Sequence, residues 1–355
     1  MKIIRIDKAD ISGGLEKCGD HYQLIGPVRE QDFYLFKPLA PGEIPDLGFT
    51  NTRMSAKGVV YPQSQQMFTY SLDTRRKDHH VMKVPADTHP PTAVMGIRPC
   101  DAAAFVQVRR NFDTPEYQDT YWLDACEKTV LVGLACDTPG PACFCTSAGG
   151  GPYSDAALDV LLVDNDDHYM ARVITAKGVD FIARAGWTAD ISDTDAQPVI
   201  DARRKAAEER IESVVETDHL ADAETLTLYN SPFWEDVAFA CINCGTCTFL
   251  CPTCWCFDIQ DETHGMSGQR IRIWDSCMFP LFTRHGTGHN PRGEKIQRVR
   301  QRFMHKLKYY IDKYESGIQC VGCGRCVRQC PVNIDIRRVC GLMNHAGKQS
   351  VTCAA

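Results

Sequence analysis

The sequence is 355 residues long, 44 % hydrophobic and 24 % charged, with a formal net charge of −6, ordinary values for a globular chain with room for two cores. That acidic balance argues against a protein that binds nucleic acid over its whole surface, and no apolar run approaches the ~18 residues of a membrane span. Nineteen cysteines with no export signal at Met1-Lys-Ile-Ile-Arg-Ile-Asp7 argue against a disulfide scaffold and point to metal or redox ligation in the cytoplasm.

Residues 1–85 are mixed and rich in turns, with Pro38, Pro41 and Pro45 marking a loop. Cys18 reads as a plain thiol in a turn, and Arg75, Arg76 and Lys77 with His79 and His80 as a solvated loop. The apolar run 92–98 predicts a strand, the segment 102–111 a helix capped by Asp101, and 129–135 a second strand. A strand, helix and strand of this length form a βαβ unit with parallel neighbouring strands. Cys100 and Cys136 then fall just past the carboxyl ends of those strands, where open α/β sheets place ligands. Cys126 falls at the opposite end. Cys143 and Cys145 follow in a Pro-rich loop, so Cys100, Cys136, Cys143 and Cys145 form a four-thiol set. The glycines 149–151 match no phosphate-binding fingerprint and read as a turn that passes close to such a site. A hairpin is expected over 158–174, and a charged helix over 200–217 that bridges two domains.

Two cysteine runs dominate the remainder. Cys241-Ile-Asn-Cys244-Gly-Thr-Cys247-Thr-Phe-Leu-Cys251-Pro252 and Cys320-Val-Gly-Cys323-Gly-Arg-Cys326-Val-Arg-Gln-Cys330-Pro331 both read C-x2-C-x2-C-x3-C-P. This is the bacterial ferredoxin spacing for two [4Fe–4S] clusters, in which the fourth Cys of each run ligates the other cluster. The expected sets are Cys241, Cys244, Cys247 and Cys330 for cluster 1, and Cys320, Cys323, Cys326 and Cys251 for cluster 2. Structural zinc is the competing reading, but zinc sites favour two separated C-x2-C knuckles over three crowded cysteines. The set Cys100, Cys136, Cys143 and Cys145 is expected to hold a third [4Fe–4S] cluster, with inert buried thiols as the alternative.

The segment 252–319 between the runs is longer than a diffusing ferredoxin needs. Cys254 and Cys256, and likewise Cys277, Cys340 and Cys353, read as thiols packed against clusters. The insertion is basic, through Arg270, Arg272, Arg284, Arg292, Lys295, Arg298, Arg300, Arg302, Lys306 and Lys308, with a helix expected over 295–310. Positive charge beside anionic clusters stabilises their reduced form. Docking of an acidic partner is a second use, and nucleic-acid binding a third.

The chain resembles the family of sulfhydrogenase beta subunits and their counterpart in anaerobic sulfite reductase. The resemblance rests on Asn51-Thr-Arg-Met-Ser-Ala-Lys57, Tyr61-Pro-Gln63, Gly96-Ile-Arg-Pro-Cys-Asp101, Cys143-Phe-Cys145, both runs, Cys254-Trp-Cys-Phe-Asp258, Trp274-Asp-Ser-Cys277 and His289-Asn-Pro-Arg292. It implies a non-catalytic iron–sulfur subunit that relays electrons between two partners. One is a flavoprotein subunit linked to NAD(P), the other a catalytic redox subunit of hydrogenase, sulfite reductase or heterodisulfide reductase type. A hetero-oligomer with no membrane span and no nucleic acid is expected. The fold expected is an α/β domain with a mixed sheet over 1–220, then an α-helical domain over 221–355 carrying the two-cluster module. The enzyme-class alternative is a flavin or substrate site in the α/β part. The absence of any nucleotide, hydrolase or metalloprotease motif leaves it without positive support.

Overall fold

The computed structural model describes residues 2–85 and 89–354. Its strands are β1 (Lys2–Asp7), β2 (Gln23–Glu30), β3 (Phe33–Pro38), β4 (Ser64–Ser71), β5 (Thr92–Ile97), β6 (Thr129–Leu134), β7 (Val160–Asn165), β8 (His168–Val173), β9 (Ala189–Ile191), β10 (Phe257–His264) and β11 (Ser267–Trp274). The helices of the first half are α1 (Ile11–Gly19), α2 (Pro99–Phe112), α3 (Thr120–Lys128), α4 (Ala176–Ala185) and α5 (Asp193–Glu209). Those of the second half are α6 (Thr225–Tyr229), α7 (Phe233–Phe239), α8 (Thr246–Phe249), α9 (Lys295–Met304), α10 (Tyr310–Tyr314), α11 (Arg325–Arg328) and α12 (Ile336–Ala354).

An eight-stranded mixed sheet runs in the order β3-β2-β5-β6-β7-β8-β1-β9. Strands β2, β5, β6 and β7 are parallel, and the outer pairings are antiparallel. Every residue of β5 and β6 is buried, as central parallel strands covered on both faces require. Alternation along them divides the core. Val94 and Leu131 face a layer of α2, α3 and α5 through Phe105, Trp122 and Ile200. Ala93, Met95, Val130 and Val132 face α1 and α4 through Leu15, Phe181 and Ile182. Each such large apolar side chain, fully buried, contributes roughly 1.5–3 kcal/mol.

The expected β5–helix–β6 unit is present, with α3 as an additional helix before β6. The helix cap differs from expectation: α2 begins at Pro99 with Arg98 in the cap position. Proline pre-sets the first helical φ and needs no donor there, so the helix starts earlier than the apolar pattern suggests. Asp101 is thereby freed for another role. The charged helix ends at Glu209 rather than extending to 217.

In the second half, a core of Trp234, Phe303, Leu307, Val339 and Met343 gathers α7, α9 and α12. Phe144, from the loop after β6, inserts into the same core. The insertion contributes the hairpin β10–β11, which pairs with β4 to form a three-stranded sheet. A segment before residue 85 is thus hydrogen-bonded into the element between the two cysteine runs. Helix α9 passes into a π-turn at His305–Tyr309 before α10. Such turns are frequent at functional sites, where a side chain must be re-aimed. No helix among the described residues is long and apolar enough to cross a membrane.

Candidate iron–sulfur sites

The two cysteine runs share one backbone path. In the first, Asn243 and Gly245 have φ of 55° and 77°; in the second, Gly322 and Gly324 have φ of 64° and 71°. The left-handed Gly in each run opens a one-turn helix, α8 or α11, that carries the third Cys. The same N–H in each run points at the first sulfur: Asn243 N to Cys241 Sγ at 3.4 Å, and Gly322 N to Cys320 Sγ at 3.5 Å. A repeat in sequence is therefore a repeat in conformation.

The fourth cysteine of each run lies near thiols of the other run. Cys330 lines one cavity with Cys241, Cys244 and Cys247. Cys251 lies in the electrostatic field of Cys320, Cys323 and Cys326, and also acts on Cys247. In the first set Cys244 is exposed. In the second, Cys251, Cys320 and Cys323 are buried. Burial pushes the Cys323 thiol up to about 12 and raises those of Cys320 and Cys326. Ligation would require those protons to leave, which couples metal loading to pH.

The start of α2 and the loop after β6 bring the third set together. Cys100, Cys136, Cys143 and Cys145 line one cavity together with Cys323 of the second run. Contacts between the two loops are direct: Phe144 N donates to Gly322 O at 2.9 Å, and the Cys143 thiol reaches Cys323 O at 3.9 Å. A Cβ on Gly322 would lie 2.5 Å from Cys145 N, so only glycine fits that approach. Gly150 N closes the loop onto Cys145 O at 3.0 Å, the close backbone passage expected of the glycine run. Cys126 lies elsewhere, on α3 beside a surface cavity.

Buried positive charge surrounds these thiols. Lys57, Arg98, Arg302 and Lys306 are each no more than 6 % exposed. Among the described residues none has a carboxylate partner; their partners are carbonyls, a hydroxyl and, for Arg302, the Cys247 thiol. Arg302 Nε and Nη1 have no hydrogen-bond partner among the described residues. Burying an uncompensated cation costs several kcal/mol, so these residues require anions. Arg302 lies in the field of Cys247, Cys326, Cys254 and Cys251, between the first two sets. Thiolate-bound iron–sulfur clusters would supply negative charge where the cations need it, and the donor sets fit that group. Among the described residues no three His, Cys, Asp or Glu are arranged to hold a single metal ion.

The basic insertion therefore turns largely inward. Arg298, Arg302, Lys306 and Lys308 are buried, Arg272 pairs with Asp119, and Arg300 stacks 3.5 Å over the Tyr229 ring. Sequence reasoning did not single out Lys57, Arg98 or Arg325, whose charge looks like surface charge in a linear string.

The remaining cysteines divide. Cys340 is buried in the helical core beside the second set. Cys353 lies outside the residues whose side chains are described. Cys254, Cys256 and Cys277 line a further cavity with Arg302, His305 and Lys306. Cys254 hydrogen-bonds to Cys251, and with Lys306 and Arg302 holds that thiol well below its ordinary range. The hydrogen bond from Cys277, reinforced by its backbone N–H and by Lys306 and Lys57, brings Cys256 down to about 7.

Comparison with known proteins agrees with this geometry. Residues 240–334, which hold both runs and the insertion, match the family model for a 4Fe-4S dicluster domain. The chain is 28 % identical over 315 residues to the sulfhydrogenase 2 subunit beta of Pyrococcus furiosus, covering 88 % of this chain and 90 % of the relative. No solved structure matches significantly. By these matches the chain carries a 4Fe-4S dicluster domain and is, over most of its length, a homologue of a sulfhydrogenase beta subunit.

Proposed function

We propose that the protein is the electron-transfer subunit of a multi-subunit oxidoreductase, and that it holds three [4Fe–4S] clusters. It stands between a flavoprotein partner linked to NAD(P) and a terminal catalytic partner. Cluster 1 takes Cys241, Cys244, Cys247 and Cys330; cluster 2 takes Cys320, Cys323, Cys326 and Cys251; cluster 3 takes Cys100, Cys136, Cys143 and Cys145. The observation that carries this reading is the position of Cys323, which belongs to the second run and also borders the cavity of the third set. One-electron centres held that closely form a row. The exposed Cys244 puts one end of the row at the surface, where a redox partner can approach.

In this reading residues 1–220 hold cluster 3 and residues 221–355 the dicluster module. What the clusters supply is one-electron chemistry; what the chain supplies is their spacing and the buried cations that set their potentials.

Anaerobic purification followed by iron and acid-labile sulfide analysis tests the proposal. About twelve iron per chain is expected, four per cube. Stoichiometric zinc without iron, or flavin bound to the isolated chain, contradicts it.

A further inference from the structure

Beyond the three thiol sets, the cavity beside Cys251 contains thiols that the row of clusters does not use. Cys256 precedes β10 and Cys277 follows β11. The hairpin register pairs Phe257 with Trp274, and Asp275 N donates to Cys256 O at 3.0 Å. The two cysteines thus meet at the open end of the hairpin, thiol to thiol, with the Cys277 thiol and backbone N–H both directed at Cys256 Sγ. Both are free thiols lining a cavity of about 340 Å³. Arg292, Arg302, His305 and Lys306 line the same cavity, and Arg302 offers two unpartnered N–H-bearing nitrogens that are nine-tenths buried. Among the described residues no acidic side chain lines it.

We propose that Cys256 and Cys277 form a redox-active dithiol that exchanges with small anionic disulfides. Cys256 Sγ attacks one sulfur of the disulfide R–S–S–R, forming a Cys256–S–S–R bond. The bond to the second sulfur breaks, and that sulfur leaves as RS⁻, with Cys256's proton balancing the charge as RSH. Cys277 Sγ then attacks Cys256 Sγ, giving the Cys256–Cys277 disulfide and a second RSH. The pair loses two electrons and two protons, and the substrate disulfide gains them. Arg302 and Lys306 favour an anionic substrate and its thiolate leaving group. Thiols already in hydrogen-bond contact need a short approach to reach bonding distance. Cys254 stands between this pair and Cys251, so a route from the pair to cluster 2 exists in the reading proposed above. The exchange itself does not depend on that reading.

The test uses the full-length protein purified and handled anaerobically. It is equilibrated in buffers of graded reduced-to-oxidised glutathione ratio, quenched with N-ethylmaleimide, and mapped by mass spectrometry after chymotryptic cleavage at Trp255 and Phe257, which separates Cys254 from Cys256. Cys256 and Cys277 should lose alkylation together and appear as one linked peptide pair, in a two-electron transition that changes tenfold per ~30 mV. In Cys277→Ser, Cys256 should stop at the glutathione mixed disulfide. Iron content in Cys256→Ser and Cys277→Ser should equal that of the parent, a readout that separates this proposal from the cluster assignment. Full alkylation of both cysteines at every ratio overturns the proposal. So does protection of both at every ratio with loss of about four iron in either variant, which would make them ligands of another cube.

Discussion

Arg325 and Asp101 form a two-point ion pair in which both side chains are 1 % exposed, with Nη2 to Oδ2 at 2.6 Å. Asp101 follows Cys100 of the third set, and Arg325 precedes Cys326 of the second. The pair ties together two segments that are 224 residues apart in the chain. Arg325 Nε also donates to Thr52 O at 2.9 Å, so the motif around residue 51 joins the same junction. Breaking the pair by Asp101→Ala leaves a buried guanidinium without its counter-charge, at an expected cost of about 3–5 kcal/mol. Asp101→Leu combined with Arg325→Met should lose less than Asp101→Ala alone. Urea titration of the anaerobic protein, followed by cluster absorbance, checks both, and equal midpoints for the single and double variants contradict the assignment.

Arg302 lies between the first two thiol sets with two nitrogens unpartnered. A unit charge ~7 Å away at an effective dielectric near 20 is worth about 2 kcal/mol, on the order of 100 mV for one electron. Removing the positive charge disfavours the more negative reduced state, so Arg302→Met should lower the reduction potential. Redox titration followed by electron paramagnetic resonance reads the shift. A raised or unmoved potential sinks the tuning role.

Gly322 and Gly149 both adopt positive φ, but only one is crowded. A Cβ at Gly322 would meet Cys145 N and Phe144 C at 2.5 Å, whereas at Gly149 it meets nothing within 4 Å. Gly149→Ala should cost only the left-handed backbone penalty, about 1–2 kcal/mol, with iron content unchanged. Gly322→Ala should in addition drive apart the second and third sets, lowering iron by about four per chain. Equal iron in the two variants would show that the loops do not need their close approach.

Local pattern explains what could be read from the string. The β5 and β6 runs are continuous apolar stretches because both faces are covered, and the cysteine spacings with their glycines encode a loop whose geometry is nearly independent of context. What escaped reading depends on contacts distant in sequence. The β4–β11 pairing joins segments some two hundred residues apart, and β4 has no strict alternation to announce it. Asp101 looks like a helix cap until Pro99 takes over the start of the helix and Arg325 arrives from the other half. Cys18 reads as a turn thiol, yet it lies fully buried at the end of α1, its Sγ 3.9 Å from Phe181 O. The buried lysines and arginines resemble a solvated basic face because nothing in a linear sequence shows which side of a helix meets a cluster.

Cys143 and Cys145 sit in the loop that closes onto the second run. Replacing both with Ser should lower the iron content by about four per chain while leaving the signals of the two dicluster-domain sites in place. The Phe144 backbone bond to Gly322 does not involve either sulfur, so the loop should keep its path. Unchanged iron would make these thiols structural. Loss of about eight iron would mean that the second set depends on the third for its own assembly.

Cys126 provides a contrast within the same chain. It lies on α3 beside a surface cavity, and burial pushes its thiol up to about 12, whereas Cys256 is brought down to about 7 by the Cys277 hydrogen bond. The thiolate is the reacting species, so a raised value means that Cys126 stays protonated and slow through neutral pH. Its rate with iodoacetamide should climb about tenfold per pH unit between about pH 7 and 10 without levelling. Cys256, when reachable in the reduced protein, should already be near its plateau at about pH 8. Measuring both peptides in one reaction cancels differences in reagent. A Cys126 rate that levels off near about pH 8.5, the value of a free thiol, would place it in water rather than in the apolar wall formed with Phe105 and Trp122.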